Sequence, residues 1–266
     1  MPPRKRKAQY KQELFKELIQ DTDYKGVYRI PKNINLNKKK YLSFDVATKT
    51  ISFCILEIPE DINSYLHTFT LKYNKLTNDL QNADDNTIDT IANDIAKLKD
   101  DIRDTIKIIH GSVDTLIPEK KDKEISEIER IRAIVDYSNN IIRPLIKDYQ
   151  PDELTVLIEH QMAPNFKARA VQNSLVALLA DYTNIHIVKP IYKNRINLDD
   201  EHHWINFVKK YKTRYTANKK HAITNFELLS KHFTCDTGVT KKFVSHISDA
   251  FMQTLAFYKF NLHRIC

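Results

Sequence analysis

Two carboxylates in this sequence close apolar runs, and two further polar groups share one helix face. Asp45 ends "YLSFD", Glu159 ends "TVLIE", and His246 and Asp249 stand three apart in "SHISDA". An acid that ends a run buried on both faces is seldom placed there for solubility, although Glu159 would also serve as a cap on the next helix. Residues three apart on a helix lie on one face about a turn from each other. Taken alone, such a His–Asp pair is usually a surface pair. Together the four groups offer oxygen and nitrogen ligands from three elements, a set suited to Mg²⁺ or Mn²⁺. Two such ions ~3.5–4 Å apart can activate an attacking water and stabilise the departing oxygen of a phosphodiester.

The elements that must bring these groups together are an α/β sheet and its flanking helices. "KYLSFDV" and "TISFCILEI" form a tight hairpin, and the alternation and aromatic content of "YLHTFTLKY" predict a third strand. Ile88, Ile91, Ile95, Leu98 and Ile102 recur at 3-4-3-4 spacing, the seam of a helix. This is read as an acidic helical arm inserted at about 77–122, the alternative being a helix packed on the parent sheet. A second helical stretch runs over 123–149. After Pro151 come a buried strand "ELTVLIEH", a helix "FKARAVQNSLVALLADY", a strand "IHIVKP", helices near 201–212 and 217–232, and a last helix over 244–260. Three antiparallel strands followed by parallel ones give a mixed five-stranded sheet flanked by helices. The first strand is then central, with the Glu159 strand parallel beside it. Asp45 and Glu159 emerge at the same carboxyl edge, where open α/β folds place their sites.

Composition narrows the chemistry. The 266 residues carry 42 Lys and Arg against 34 Asp and Glu, a net charge of +8. From Pro190 to Lys242 eleven bases face five acids, with tyrosines among the lysines in "FVKKYKTRYTANKK", a pattern that suits a polyanion. The basic segment 1–38 reads as an N-terminal arm whose PRKRK is either a nucleic-acid or import patch or a solubilising tail. Only three glycines are present, against about nineteen at average usage, so loops that wrap backbone amides around phosphates are excluded. This removes sugar-kinase and actin-like ATPases. Three cysteines without C-x-x-C spacing, no apolar run near the ~20 residues of a membrane span and no secretory h-region make the expected location intracellular. The spacing of His202, His203, His232 and Cys235 fits no common structural zinc site.

At this point the residues resemble a family. "SFDVATKTISFCIL", "VLIEHQMAPNFKARAVQNSL", "VKPIYKN", "KYKTRYTANKKHAITNF" and "HISDAF" are similar, in that order, to the poxvirus-type Holliday junction resolvases of the RuvC-like branch of the ribonuclease H fold. They span most of 40–76 and 150–260, while 77–122 has no counterpart. The resemblance implies a homodimeric endonuclease that uses Mg²⁺ or Mn²⁺ to cut four-way DNA junctions by paired nicks, without a nucleotide cofactor. It also implies a large DNA virus as source, with the protein in host cytoplasm or nucleus. Asp45, Glu159 and Asp249 would be metal ligands, and His246, where viral members usually carry aspartate, would ligate metal or act on a water. Ala47 stands where glycine is usual, which changes the turn after Asp45. Lys167, Arg169, Lys193, Lys219, Lys220, Lys241 and Lys242 would contact DNA phosphates, which position the duplex without reading its sequence. Two other readings stay open: another nuclease of this fold, acting on RNA–DNA hybrids or transposon ends, and a non-catalytic DNA-binding scaffold.

Overall fold

Alternation along the hairpin decides which side chains meet which helices. The computed structural model describes residues 38–260 apart from 85, 163, 183, 197, 199–202 and 231–240. The expected basic arm therefore lies outside the described residues, except for Lys38. Strand β1 (Lys38–Val46) pairs antiparallel with β2 (Thr50–Pro59), from Lys38↔Pro59 to Val46↔Ile51. Leu42, Phe44 and Val46 enter one core with Ile51, Phe53 and Ile55, while Tyr41 enters the other with Cys54, Leu56 and Ile58. By the two-residue period, Ser43 and Asp45 share the face of Tyr41.

Past β2 the chain departs from expectation. "YLHTFTLKY" is not a strand but the body of helix α1 (Ile62–Gln81). Its aromatic and β-branched residues read as strand, yet Ile62, Leu66, Phe69 and Tyr73, four, three and four apart, are the ones buried. Helix α2 (Ile88–Thr105) follows. The third strand comes only then, as β3 (Lys107–Thr115), antiparallel to β2 with an irregularity at Ile55/Leu56. The helices interposed between β2 and β3 thus run from 62 to 105, and β3 lies within the stretch read as an arm. Nor does the pair stand free. Ile95 and Ile102 join the main core, and Arg103 donates to the carbonyls of Glu227 and Leu228.

The second half follows the expected order. Helix α3 (Glu127–Tyr137) starts on a capping box in which Ser126 and Glu129 satisfy each other's backbone N–H, and passes through a π turn into α4 (Arg143–Ile146). Strand β4 (Leu154–Glu159) runs parallel to β1, helix α5 (Phe166–Leu178) crosses over, and β5 (Asn184–Val188) runs parallel to β4. A 3₁₀ turn (Pro190–Arg195), α6 (Trp204–Lys210), α7 (Arg214–Leu229) and α8 (Lys241–Lys259) complete the chain. The sheet order is β3-β2-β1-β4-β5, a mixed five-stranded α/β sheet with β1 at its centre, as expected. Helices α3, α4 and α5 cover one face, and α1, α2, α7 and α8 pack into the core on the other. Burial of Ile247, Phe251 and Leu255 presses α8 onto β1 and β2, each contributing roughly 1.5–3 kcal/mol. Among the described residues no helix is long and apolar enough to cross a membrane.

Candidate active site at the carboxyl edge of the sheet

Three elements converge where β1 and β4 end. Asp45 is the last residue but one of β1, Glu159 the last of β4, and both sit on the α8 face. Helix α8 is docked by Ile247, Ala250 and Phe251 and turns His246 and Asp249 toward them. All four candidate residues are brought together. His246 Nδ1 lies 2.8 Å from Asp45 Oδ2, and Asp45 and Glu159 share a hydrogen bond. Asp45, Glu159 and Asp249 retain only 7%, 8% and 6% of their exposure.

Two lysines take unexpected places. Lys193, carried by the 3₁₀ turn after β5, is buried with Nζ 3.3 Å from both Glu159 Oε1 and Asp249 Oδ1. Lys219, on α7, pairs with the other Asp249 oxygen, Oδ2. Both were expected as phosphate contacts. Instead they neutralise the acid cluster, because carboxylates this deeply buried require counter-charge. Of the remaining basic candidates, Arg169 and Lys220 are exposed, and Lys167 approaches Asp122 (Nζ to Oδ2 3.8 Å). Lys241 and Lys242 stand in the first turn of α8, and their side chains lie outside those described.

The electrostatics separate the two strand-end acids. Burial works against the Asp45 anion, but the hydrogen bonds from Glu159 and His246 and the charges of Lys193 and Lys219 outweigh it and hold the carboxyl well below the usual range. Burial pushes Glu159 well above its usual value. Lys193 opposes that rise, while the Asp45 anion, the bond to it and Asp249 add to it. The two carboxyls are thus driven in opposite directions, Asp45 towards the anion and Glu159 towards the protonated form. Burial disfavours the Lys193 ammonium, but Asp249, Glu159 and Asp45 more than compensate and raise its value. Lys219 is raised by the same contest, chiefly through Asp249.

Three carboxylates and an imidazole have the donor chemistry of a Mg²⁺ or Mn²⁺ site. Among the described residues, however, no three His, Cys, Asp or Glu side chains stand around one point as a metal ion requires. The placement of Lys193 between Glu159 and Asp249, with Lys219 on Asp249, accounts for this. The residues fit the ion by type, and Lys219, the more exposed of the two lysines, is the one able to yield. With Nδ1 bonded to Asp45, His246 presents Nε2 as its remaining ring nitrogen.

Two supports escaped the sequence reading. Gln253, fully buried one turn beyond Asp249, donates to Ser43 Oγ at 3.1 Å and to the Phe44 carbonyl at 3.4 Å, fixing α8 to β1 beside Asp45. The i, i+4 spacing from Asp249 was the available signal. Arg130, only 1% exposed, donates to the Thr48 carbonyl and to Asp122 and so grips the turn after Asp45.

No protein-family model matches the chain, and no curated protein matches it in sequence. Among solved structures it is similar to the fowlpox virus resolvase in complex with substrate Holliday junction DNA, at 11% identity and a TM-score of 0.41, over 84% of this chain and 99% of that one. It is also similar to RuvC of T. thermophilus in complex with a Holliday junction substrate, at 9% identity and a TM-score of 0.42, over 85% and 96%. The likeness is one of overall arrangement, and the site stands on its own geometry.

Proposed function

We propose that this protein is a metal-dependent endonuclease that resolves four-way DNA junctions, acting as a homodimer so that two sites make paired nicks. The observation that carries this reading is the meeting of Asp45, Glu159 and Asp249 from β1, β4 and α8, with His246 bonded to Asp45. Asp45, Glu159, Asp249 and the free ring nitrogen of His246 would hold Mg²⁺ or Mn²⁺. Such ions, when bound, supply charge to the phosphorane-like transition state and acidify a water. Lys193, locked between Glu159 and Asp249, keeps those carboxylates oriented. Lys219 is placed to leave Asp249 for a DNA phosphate as the strand enters. His246 Nε2 is positioned to accept a proton when it is not ligating. Exposed Arg169 and Lys220 would hold flanking phosphates.

The test is incubation of the purified protein with a labelled mobile four-way junction, an RNA–DNA hybrid and a linear duplex, in Mg²⁺ and in Mn²⁺. Symmetric nicks in the junction alone are expected. Preference for the hybrid would transfer the site to RNA cleavage, and no cleavage of any substrate would leave a DNA-binding scaffold.

A further inference from the structure

The glutamine of "IEHQ" has no part in the chemistry above, yet it occupies a strategic position. Strands β1 and β4 pair in parallel from Lys40↔Leu154 to Phe44↔Ile158, and the ladder stops there. The next residue on each strand is a site carboxylate, Asp45 and Glu159. Just where the backbones part, contact between them passes to a side chain: Gln161 Nε2 donates to the Val46 carbonyl at 2.8 Å. Gln161 is held in turn, since its N–H donates to Oε1 of the buried Gln172 on α5 at 2.7 Å. On its other side His160 N–H donates to the Val188 carbonyl at 2.9 Å, so the loop is tied to β5 as well.

The turn that follows Asp45, "VATKT", contains no glycine. It is closed by Ala47 N–H on the Thr50 carbonyl at 3.0 Å, and the Lys49 carbonyl accepts from Leu116 N–H at 2.9 Å. Arg130 and Leu116 hold the middle of this turn, and the Gln161 bond ties its first residue to the end of β4.

We propose that Gln161 is a positioning residue, a side-chain rung that extends the β1–β4 pairing past its last backbone rung and fixes the spacing of Asp45 and Glu159. A displacement of about 1 Å among reacting groups costs on the order of a hundredfold in rate. The activity arm of the test rests on the nuclease reading, and the second arm does not.

Gln161→Met keeps the length of the side chain and removes the donor. Gln172→Leu removes the acceptor that holds Gln161. Single-turnover junction cleavage should fall on the order of tenfold or more in Gln161→Met, with junction Kd within about twofold of wild type, because the phosphate-binding lysines are untouched. The double variant should fall no further than Gln161→Met, as groups acting through one contact do not add. In the second arm, amide hydrogen exchange of residues 45–50 should accelerate in Gln161→Met while residues 40–44 keep their protection. Unchanged exchange over 45–50 overturns the inference whatever the rate does, and so does a wild-type cleavage rate in an active enzyme. If wild type cuts no substrate in either metal, the nuclease reading fails and the exchange result alone decides the role of Gln161.

Discussion

Strand β1 carries charge at both ends and handles it in opposite ways. At its start Lys38 pairs with Glu57 at 3.4 Å and Lys39 with Glu60 at 2.9 Å, with the Lys39 and Glu60 side chains 56% and 49% exposed. At its finish Asp45 bonds to the half-buried His246 within a cluster whose Glu159, Asp249 and Lys193 are almost out of solvent. The exposed pairs are each worth about 0–1 kcal/mol, since water and salt screen them. The buried cluster loses several kcal/mol of hydration per ion, which mutual attraction recovers only in part. A fold gains nothing from that expense that packed leucines would not supply better. The contrast supports the proposed assignment of chemistry to the far end of β1.

The largest effect should come from the acids. Asp45→Asn, Glu159→Gln and Asp249→Asn should each lower junction cleavage on the order of 10³-fold or more, with junction binding retained. Substantial cleavage by one of them would remove that residue from the site. Glu159→Gln also sharpens the comparison through stability. The raised value of Glu159 means that its contribution is fully present below the ordinary 4.5 and is lost as pH rises through the raised value. Asp45, held low, contributes above the ordinary 3.8 and loses that only as pH falls through its depressed value. With EDTA present, Glu159→Gln should therefore melt a few degrees above wild type once pH exceeds 4.5, and the gap should close below it. Equal melting at all pH values would mean that Glu159 is not a strained, buried acid.

His246 should rank next. His246→Ala removes the bond to Asp45 and one candidate ligand, and cleavage should drop on the order of a hundredfold. Aspartate at the same position restores a ligand of harder character, so His246→Asp should retain activity and shift preference from Mn²⁺ to Mg²⁺. Initial rates of wild type and both variants in each metal decide this. An active His246→Ala with unchanged metal preference would reduce His246 to a neighbour of the three acids.

How much of this was legible in the sequence depended on range. Asp45 and Glu159 could be placed because a buried strand is a short, dense signal and its end is easily seen. His246 and Asp249 needed more than helical spacing, which suits a surface pair; the apolar face of Ile247, Ala250 and Phe251 set them at the sheet edge. The third strand was misassigned because "YLHTFTLKY" has strand composition, and only the core under Ile62, Leu66, Phe69 and Tyr73 selects the helix. Lys193 and Lys219 were read as phosphate contacts, and their pairing with Glu159 and Asp249 was not foreseen. They lie 34 residues from Glu159 and 30 from Asp249 respectively, and no local pattern distinguishes a lysine that turns inward from one that faces solvent.

That distinction yields a smaller effect, read between adjacent residues. Lys219 is bonded into the cluster and Lys220 is exposed. Lys220→Ala should leave the rate at saturating protein unchanged and make the log–log salt dependence of junction affinity shallower by about 0.9, one phosphate contact. Lys219→Ala should reduce the rate itself, because Asp249 loses its partner. Identical behaviour of the two variants would return Lys219 to the surface.

The smallest effect belongs to the start of β1. Lys38→Ala combined with Lys39→Ala removes both exposed pairs, with Glu57 and Glu60. Each carboxylate left behind stays hydrated, so no buried charge is orphaned, in contrast to what loss of Lys193 would do to Glu159 and Asp249. Stability should change by less than about 1 kcal/mol, a Tm shift of roughly 2–4 °C at most. The difference should shrink further in high salt, where these pairs are already screened. Cleavage should not change, since the acid cluster lies at the opposite end of the same strand. Urea unfolding of wild type and double variant at low and high salt measures this directly. A loss of several kcal/mol, insensitive to salt, would show that the two ends of β1 are held alike, and burial of charge would then no longer single out Asp45.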